Sequence, residues 1–513
     1  MDVLNGVVAL RRWPVFSRRA LLQSAPLALL CLLPIVLYLP VLDTPFERDE
    51  GTYATIAQGL LDGKIPYRDL FDNKPPLVYG WYAFSFLLFG ENVMAPRIVA
   101  AVLLSLTALA LFAQARMVFG RGVAYIATVV FVTATGLPFV ALHANTEAYM
   151  LLPLVASLTA FTLGMRSGRL GWFLLAGVLS GVAIMTKQVA VWNLLALAIV
   201  AVFWRWRSPD AVVSRPAPLC FLLAGAGTAV ALIATPFFAV GALGDLVYAN
   251  VSYNWLYVRF LTLGERLLDL AAGMAFISAL AAPLIAGSLL GLAVVLRARR
   301  PAAYYLFVAW AAASAVGVAT GGRFFPHYFL HLVPAMAVLT AMLLYERFRD
   351  RLAHPPGRAL IAAGVALALV ALATNGAMRL APWRTEQRVA PNVFEQKRWE
   401  WSSRDLGAYI AERTDPDDTI FNLGREPQIY FYADRRPAVQ YFYDWAYQYD
   451  ERTLAVTVDA LRREKPVYII DSIQPPLFVP AQRSAAFEKL LDDEYDYAGR
   501  VYFADLYRLK ADD

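Results

Sequence analysis

Cysteine is nearly missing from this chain. It has two in 513 residues, Cys31 and Cys220, both inside apolar runs, which excludes a disulfide framework and a cysteine-based metal site. Histidine is scarce too, with four, which argues against a multi-histidine centre. Charge is thin: 17% of residues are charged and 59% hydrophobic, with mean hydropathy +0.50. An ordinary soluble domain has about 25% charged and 45–50% apolar residues, so a soluble globular enzyme is excluded, as are disordered and collagen-like chains. The net charge of +6 does not call for nucleic acid, because much of the arginine clusters between apolar runs, the pattern that orients membrane helices. Walker A, HExxH, GxSxG and a GxGxxG in a βαβ setting are missing from plausible positions.

Long apolar runs are what the sequence has. After Arg11, Arg12, Arg18 and Arg19 comes the stretch 20–42, longer than a signal-peptide core and without a small-x-small cleavage site, so it reads as an uncleaved first span. Further spans are expected at 94–115, 122–141, 147–164, 170–186, 189–205, 217–236, 271–296, 303–319, 328–345 and 359–378, about eleven in all. The run 77–90 is too short to cross. If it lies at the interface, the arginines at 116/121, 166/169, 205/207/215, 297/299/300 and 347/349/351/358 all fall beside the basic N-terminus; counted as a span, it would reverse them. The expected N-terminus is therefore cytoplasmic, with outer loops at 43–93, 142–146, 187–188, 237–270 and 320–327. Beyond residue 380 the apolar runs stop. A helical pattern over 393–413, strands at 419–423, 438–443, 466–471 and 501–508, and a helix at 451–464 predict a small α/β domain on the outer side.

The outer loops collect the residues with chemistry to offer. Asp49 and Glu50 follow the first span closely; a carboxylate in apolar surroundings can have its pKa raised toward working pH and serve as a general base, although an Asp-Glu pair in a loop is more often merely solvated. Thr52 to Leu61 and the run 77–90 read as amphipathic helices lying on the bilayer. Lys74 precedes Pro75-Pro76, which fix its entry angle; it suits a phosphate, or simply snorkels. His143, Asn145 and Glu147 sit at the outer end of a span, as an acceptor or supporting acid or as a helix cap. Lys187 has apolar neighbours and no local partner, a functional signal inside a membrane. In GGRFFPHYFLHLVP, Arg323 could fork a phosphate, with His327 donating to it and His331 a turn beyond. Tyr441, Tyr443, Trp445, Tyr447 and Tyr449 could stack on sugars. All the charged candidates fall on one side under an orientation fixed by other residues, which fits transfer from a lipid-linked phosphate.

The outer loop with Asp49-Glu50, then Lys74-Pro75-Pro76 before an aromatic-apolar segment, and the RFFPHYFLHLVP block resemble the membrane-embedded GT-C glycosyltransferases, in particular bacterial relatives of the protein O-mannosyltransferases and of the lipid A aminoarabinose transferases. The resemblance covers roughly 1–378. It implies a GT-C transmembrane catalytic domain over 1–378, with interfacial helices in 43–93, and an extracytoplasmic, periplasmic α/β domain over 379–513. It implies an inverting hexosyl- or pentosyltransferase that moves a monosaccharide from a polyprenyl-phosphate donor to a glycan, lipid or protein acceptor at the outer face of a bacterial inner membrane. By position, Asp49 is the catalytic carboxylate and Glu50 its neighbour. Lys74, Arg323, His327 and Lys187 are donor-phosphate or lipid cations, and Glu147 with Asn145 forms the acceptor-side group. No cofactor is required by the sequence, and a divalent metal stays open. The competing readings are a transporter or flippase for a lipid-linked or anionic substrate, which wants charges at midplane, and a scaffold whose outer domain binds a partner.

Overall fold

The computed structural model describes residues 18–136, 143–203, 216–297, 302–352, 391–446, 449–472 and 485–511. The first fourteen helices are α1 (Arg18–Tyr38), α2 (Arg48–Leu61), α3 (Leu77–Phe89), α4 (Met94–Phe119), α5 (Arg121–Thr135), α6 (Thr146–Ser167), α7 (Leu170–Thr186), α8 (Val191–Phe203), α9 (Ala217–Ala239), α10 (Leu243–Val247), α11 (Tyr253–Phe260), α12 (Leu263–Arg297), α13 (Ala302–Thr320) and α14 (Val333–Leu352). Among the described residues, five segments are long and apolar enough to cross a bilayer: α4, α6, α9, Ala303–Thr320 and Pro326–Phe348. A sixth is counted if α12, bent by 102° between Ser278 and Ala281, is one broken span. The expected eleven is not confirmed by these lengths. Shorter described apolar helices stand at four further expected spans, Ala25–Tyr38, Arg121–Thr135, Leu170–Thr186 and Gln188–Phe203. The expected span at 359–378 lies outside the described residues.

Small residues bring the helices together. On α7, Gly177 and Gly181 face Gly225 on α9 so closely that a Cβ at Gly177 would sit 2.0 Å from the Leu222 carbonyl oxygen, and one at Gly225 2.1 Å from that of Leu174. Without a hydrophobic drive between helices in lipid, such backbone approach supplies the packing.

The C-terminal part contains α15 (Pro391–Ala411), β1 (Thr419–Asn422), α16 (Gln428–Ala433), β2 (Arg436–Pro437), α17 (Glu451–Glu464), β3 (Tyr468–Asp471), α18 (Ala485–Glu494), β4 (Tyr495–Val501) and β5 (Ala504–Leu509). The sheet order is β2-β1-β3-β5-β4. The first three strands are parallel, with Ile420 opposite Tyr468, and β5 and β4 turn antiparallel. The strand expected at 438–443 is instead two residues at 436–437. After Ala438 donates to the Ile420 carbonyl, the chain leaves the sheet to dock on the first loop, where the Gln440 carbonyl accepts from Phe71 N at 2.9 Å. Strand β4 was not expected, and the last strand lies at 504–509.

That docking changes the character of α2. A capping box starts the helix: Glu47 accepts from Glu50 N, and Glu50 accepts from Glu47 N at 3.2 Å. Residues 50–59 are then buried, so α2 is not an amphipathic helix resting on lipid but a filling between membrane helices and the α/β part. Tyr432 Oη accepts from Phe46 N at 2.6 Å, Arg48 pairs with Glu426 at 2.8 Å, and Arg436 with Asp62 at 2.5 Å. Gly51 is required at the contact, because a Cβ there would meet Gln428 N and Cα at 2.6 Å. In α3, by contrast, Phe84, Leu87 and Leu88 stay exposed.

Candidate functional site

Adjacent in sequence, Asp49 and Glu50 have opposite environments. In the first turn of α2, where the helix dipole favours negative charge, Asp49 keeps a side chain 38% exposed with Oδ2 3.9 Å from His327 Nε2. Glu50 is fully buried. Arg97 on α4 donates Nε to its Oε1 at 3.0 Å and Nη2 to its Oε2 at 2.6 Å, Ala144 N donates to Oε1 at 2.8 Å, and His143 Nδ1 stands 3.5 Å from Oε2. Burial opposes ionisation of Glu50, but Arg97 and then His143 override it and hold the carboxyl below the usual range. Arg97 also donates to the Val41, Thr44 and Pro45 carbonyls. Glu50 is thus a strut that ties α2 to α4 and to the loop before α6.

Glu47 is the opposite case. Burial, then the neighbouring charges of Asp49, Glu50 and Glu400, push its carboxyl well above the ordinary value, and its Oε1 has no hydrogen-bond partner among the described residues. Its surroundings therefore favour the neutral acid.

Lys74 reaches the same cluster from the other side. Its Nζ donates to Asn73 Oδ1 at 3.0 Å, and Asn73 is clamped by Asn254, donating to its Oδ1 at 3.1 Å and accepting from its Nδ2 at 2.9 Å through the backbone carbonyl. Burial disfavours the Lys74 charge, yet Asp72 and Asp49 more than offset this and its pKa lies above the ordinary lysine value. The preceding Asp72 accepts from Tyr79 and from Tyr443 of the α/β part, each at 2.9 Å, so the loop that carries Lys74 is pinned by both halves.

Lys187, without a local partner in sequence, finds one 40 residues away: its Nζ forms a close ion pair with Glu147 and lies 4.1 Å over the Tyr328 ring. Lys187 ends α7 in extended backbone (φ −151°). Burial pulls its pKa below the usual value despite Glu147, because the nearby Lys74 adds repulsion. Glu147 also accepts from Thr146 Oγ1 at 2.9 Å in the first turn of α6, and Asn145 stands at the N-cap position without a capping bond, its Oδ1 buried and unpartnered among the described residues. His327 lies within electrostatic reach of Glu147, Asp49, Lys187 and His143.

Arg323 sits on a tight strap, with Gly322 at φ +68° and Phe324 at φ +47°. A left-handed phenylalanine is a strained conformation, which surrounding contacts must hold. Arg323 donates to Tyr449 Oη at 3.1 Å, lies 3.9 Å from Asp269 and faces the Tyr257 ring at 5.5 Å. Tyr257 interacts with both Arg323 and Lys74, so it bridges them. His331 is apart from this group, buried with Nε2 2.9 Å from Asn193 Oδ1.

The structure therefore gathers Asp49, Lys74, Glu147, Lys187 and His327, sets Arg323 beside them across Tyr257, and withdraws Glu50 beneath. Sequence reading missed Arg97, Asp72, Tyr257 and Tyr328. A lone arginine at the head of an apolar run was a usable signal for Arg97; nothing local marks the others. The aromatic series expected to stack on sugars serves the seam instead. Tyr443 is buried on Asp72, Tyr441 packs on Phe71 with ring centroids 5.1 Å apart, the Trp445 carbonyl accepts from Tyr253, and Tyr449 accepts from Arg323; Tyr447 lies outside the described residues. No group of three or more His, Cys, Asp or Glu that could hold a metal ion occurs among the described residues.

The family described as dolichyl-phosphate-mannose-protein mannosyltransferase matches residues 73–233, which take in Lys74, Arg97, Glu147 and Lys187. Among solved structures, ArnT from Cupriavidus metallidurans bound to undecaprenyl phosphate is similar over 94% of this chain and 98% of its own, at TM-score 0.57 and 16% identity. Its apo state is similar over 95% and 98%, at TM-score 0.57 and 15% identity. The archaeal oligosaccharyltransferase AglB from Archaeoglobus fulgidus aligns over 88% of this chain and 70% of its own, at TM-score 0.48 and 14% identity. No curated protein sequence matches. The likeness to ArnT, which takes in membrane helices and α/β part alike, shows a shared fold, and the segment 73–233 is similar to the dolichyl-phosphate-mannose-protein mannosyltransferases.

Proposed function

We propose that the chain is an inverting glycosyltransferase that moves a monosaccharide from a polyprenyl-phosphate donor to an acceptor hydroxyl, on the outer face of a bacterial inner membrane with its N-terminus in the cytoplasm. The observation that carries this reading is the meeting of a half-open carboxylate, Asp49, with the cations Lys74 and Lys187 and with His327 at 3.9 Å. Asp49 takes the proton of the acceptor hydroxyl. The acceptor oxygen then attacks the anomeric carbon on the face away from the phosphate, the bond from that carbon to the phosphate oxygen breaks, and the electron pair leaves with polyprenyl phosphate. Lys74, Lys187 and Arg323 stabilise the charge that develops on the leaving oxygen, and His327 orients the base.

Glu50 acts in this scheme as a positioning residue, and Glu147 keeps Lys187 charged and in place. A resident metal is not needed for this charge balance. The acceptor, whether glycan, lipid or protein, approaches at the seam with the α/β part. The transporter reading draws no comparable support, since Glu147, Lys187 and Lys74 all stand at helix ends rather than at midplane. Release of polyprenyl phosphate from lipid-linked sugars, with a crude envelope extract supplying acceptors, tests the proposal: the wild type should release it and Asp49→Asn should lose at least 100-fold, about the contribution of a general base. Undiminished release by Asp49→Asn refutes the mechanism, and substrate movement in proteoliposomes without sugar transfer refutes the reaction.

A further inference from the structure

Away from the acid-base cluster, α1, α4 and α6 leave an open trough of about 530 Å³, lined by Leu27, Leu109, Phe112 and Met117 together with Arg116 and Arg166. Its depth follows from two helices independently. On α4, Arg97 bonds Glu50 and Arg116 comes 19 residues later; on α6, Glu147 pairs with Lys187 and Arg166 comes 19 residues later. At 1.5 Å per residue each interval is about 28 Å, close to the thickness of the hydrocarbon core. The two arginines therefore stand at the headgroup level of the leaflet opposite the cluster, and the trough runs from them toward the bilayer interior along Leu109, which is 46% exposed.

Its chemistry is one-sided. The lining holds two guanidiniums and no carboxylate, and Arg116 makes no ion pair among the described residues. Arg166 donates Nη2 to the Met117 carbonyl, which anchors one edge of its fork across the gap between α4 and α6 and leaves other donors available. Two forks from different helices above an apolar channel match a phosphodiester with an acyl chain.

We infer that this trough binds an anionic phospholipid of the leaflet opposite the acid-base cluster, with its phosphate between Arg116 and Arg166 and one acyl chain along Leu27, Leu109 and Phe112. Phosphatidylcholine carries the same phosphodiester but brings its quaternary ammonium beside two guanidiniums with no carboxylate to receive it, and free phosphate offers the charge without the chain, so neither suits the site as an anionic phospholipid does. The site lies a bilayer away from the transfer chemistry and does not depend on it.

Delipidated full-length protein in detergent, titrated with phosphatidylglycerol, phosphatidylcholine of the same chains or inorganic phosphate and read by native mass spectrometry, tests this. Phosphatidylglycerol should bind about tenfold tighter than phosphatidylcholine, whose choline cation is repelled by the two guanidiniums, and inorganic phosphate should not compete. Arg116→Gln should weaken phosphatidylglycerol about tenfold, and Arg116→Gln/Arg166→Gln should erase the preference. Arg121→Gln, which removes a nearby cation stacked on Tyr125 at 5.5 Å, should change nothing. Leu109→Trp, which fills the trough without touching the arginines, should weaken both lipids and keeps the test decisive if the double variant unfolds. Equal affinity for the two lipids, a preference that survives the double variant, or competition by inorganic phosphate would overturn the assignment.

Discussion

Replacing Arg97 with Gln probes the strut beneath Asp49. Arg97 and Glu50 are both fully buried, and Arg97 donates to four backbone carbonyls besides the carboxylate. Removing one member of a buried pair leaves the other charge uncompensated, at a cost of about 3–5 kcal/mol. Replacing both by neutral side chains removes that charge, so Glu50→Gln/Arg97→Gln should recover more than half of the loss. The sign of the pH dependence is a second readout. In the wild type the Glu50 pKa is depressed in the folded state, so its contribution is present above the unfolded value and is lost as pH falls through the folded one. In Arg97→Gln burial dominates and raises the Glu50 pKa, so its contribution is instead present at low pH and lost as pH rises past the ordinary glutamate value. Equilibrium unfolding in mild detergent across pH 4–8 measures both. A single variant within about 0.5 kcal/mol of wild type, typical of a surface change, or a pH slope that does not shift toward lower stability at higher pH, would refute the reasoning.

Two further outcomes follow from the same region. Because Glu47 is raised in the folded state, it favours folding below the unfolded glutamate value and disfavours it as pH rises, so Glu47→Gln should leave the thermal midpoint unchanged at pH 4 and raise it increasingly toward pH 7; a uniform shift at all pH values contradicts the buried neutral acid. Gly51→Ala drives a Cβ to 2.6 Å from the Gln428 backbone, and overpacking of this kind costs about 1–3 kcal/mol; an unchanged unfolding midpoint would mean that α2 and α16 do not pack as described.

The grouping of the charged candidates was legible in the sequence, because charges in an apolar chain are few and their loop positions fit one expected orientation. Asp49, Lys74, Glu147, Lys187 and His327 could be collected in that way. The roles within the group were not, because Glu50 and Asp49 differ only through Arg97, and Lys187 differs from a lone lysine only through Glu147, 40 residues away. Helix ends were less legible. Hydropathy reports which residues avoid water, while Lys187 ends α7 by its extended backbone. The 438–443 segment alternates like a strand, yet its hydrogen bonds are taken by the first loop at Phe71 and Asp72, a choice that no local window contains.

The pairing of Arg48 with Glu426 joins positions 378 residues apart. At about 5–20 residues per second, translation separates the two by roughly 20–75 s. Throughout that interval α2 is already made, with Asp49 in its first turn, while the α/β surface that will cover it has not been made. The covering of α2 is therefore completed only after residue 426 has been made, although Lys74, Glu147, Lys187 and His327, the charged groups around Asp49, are already present by then.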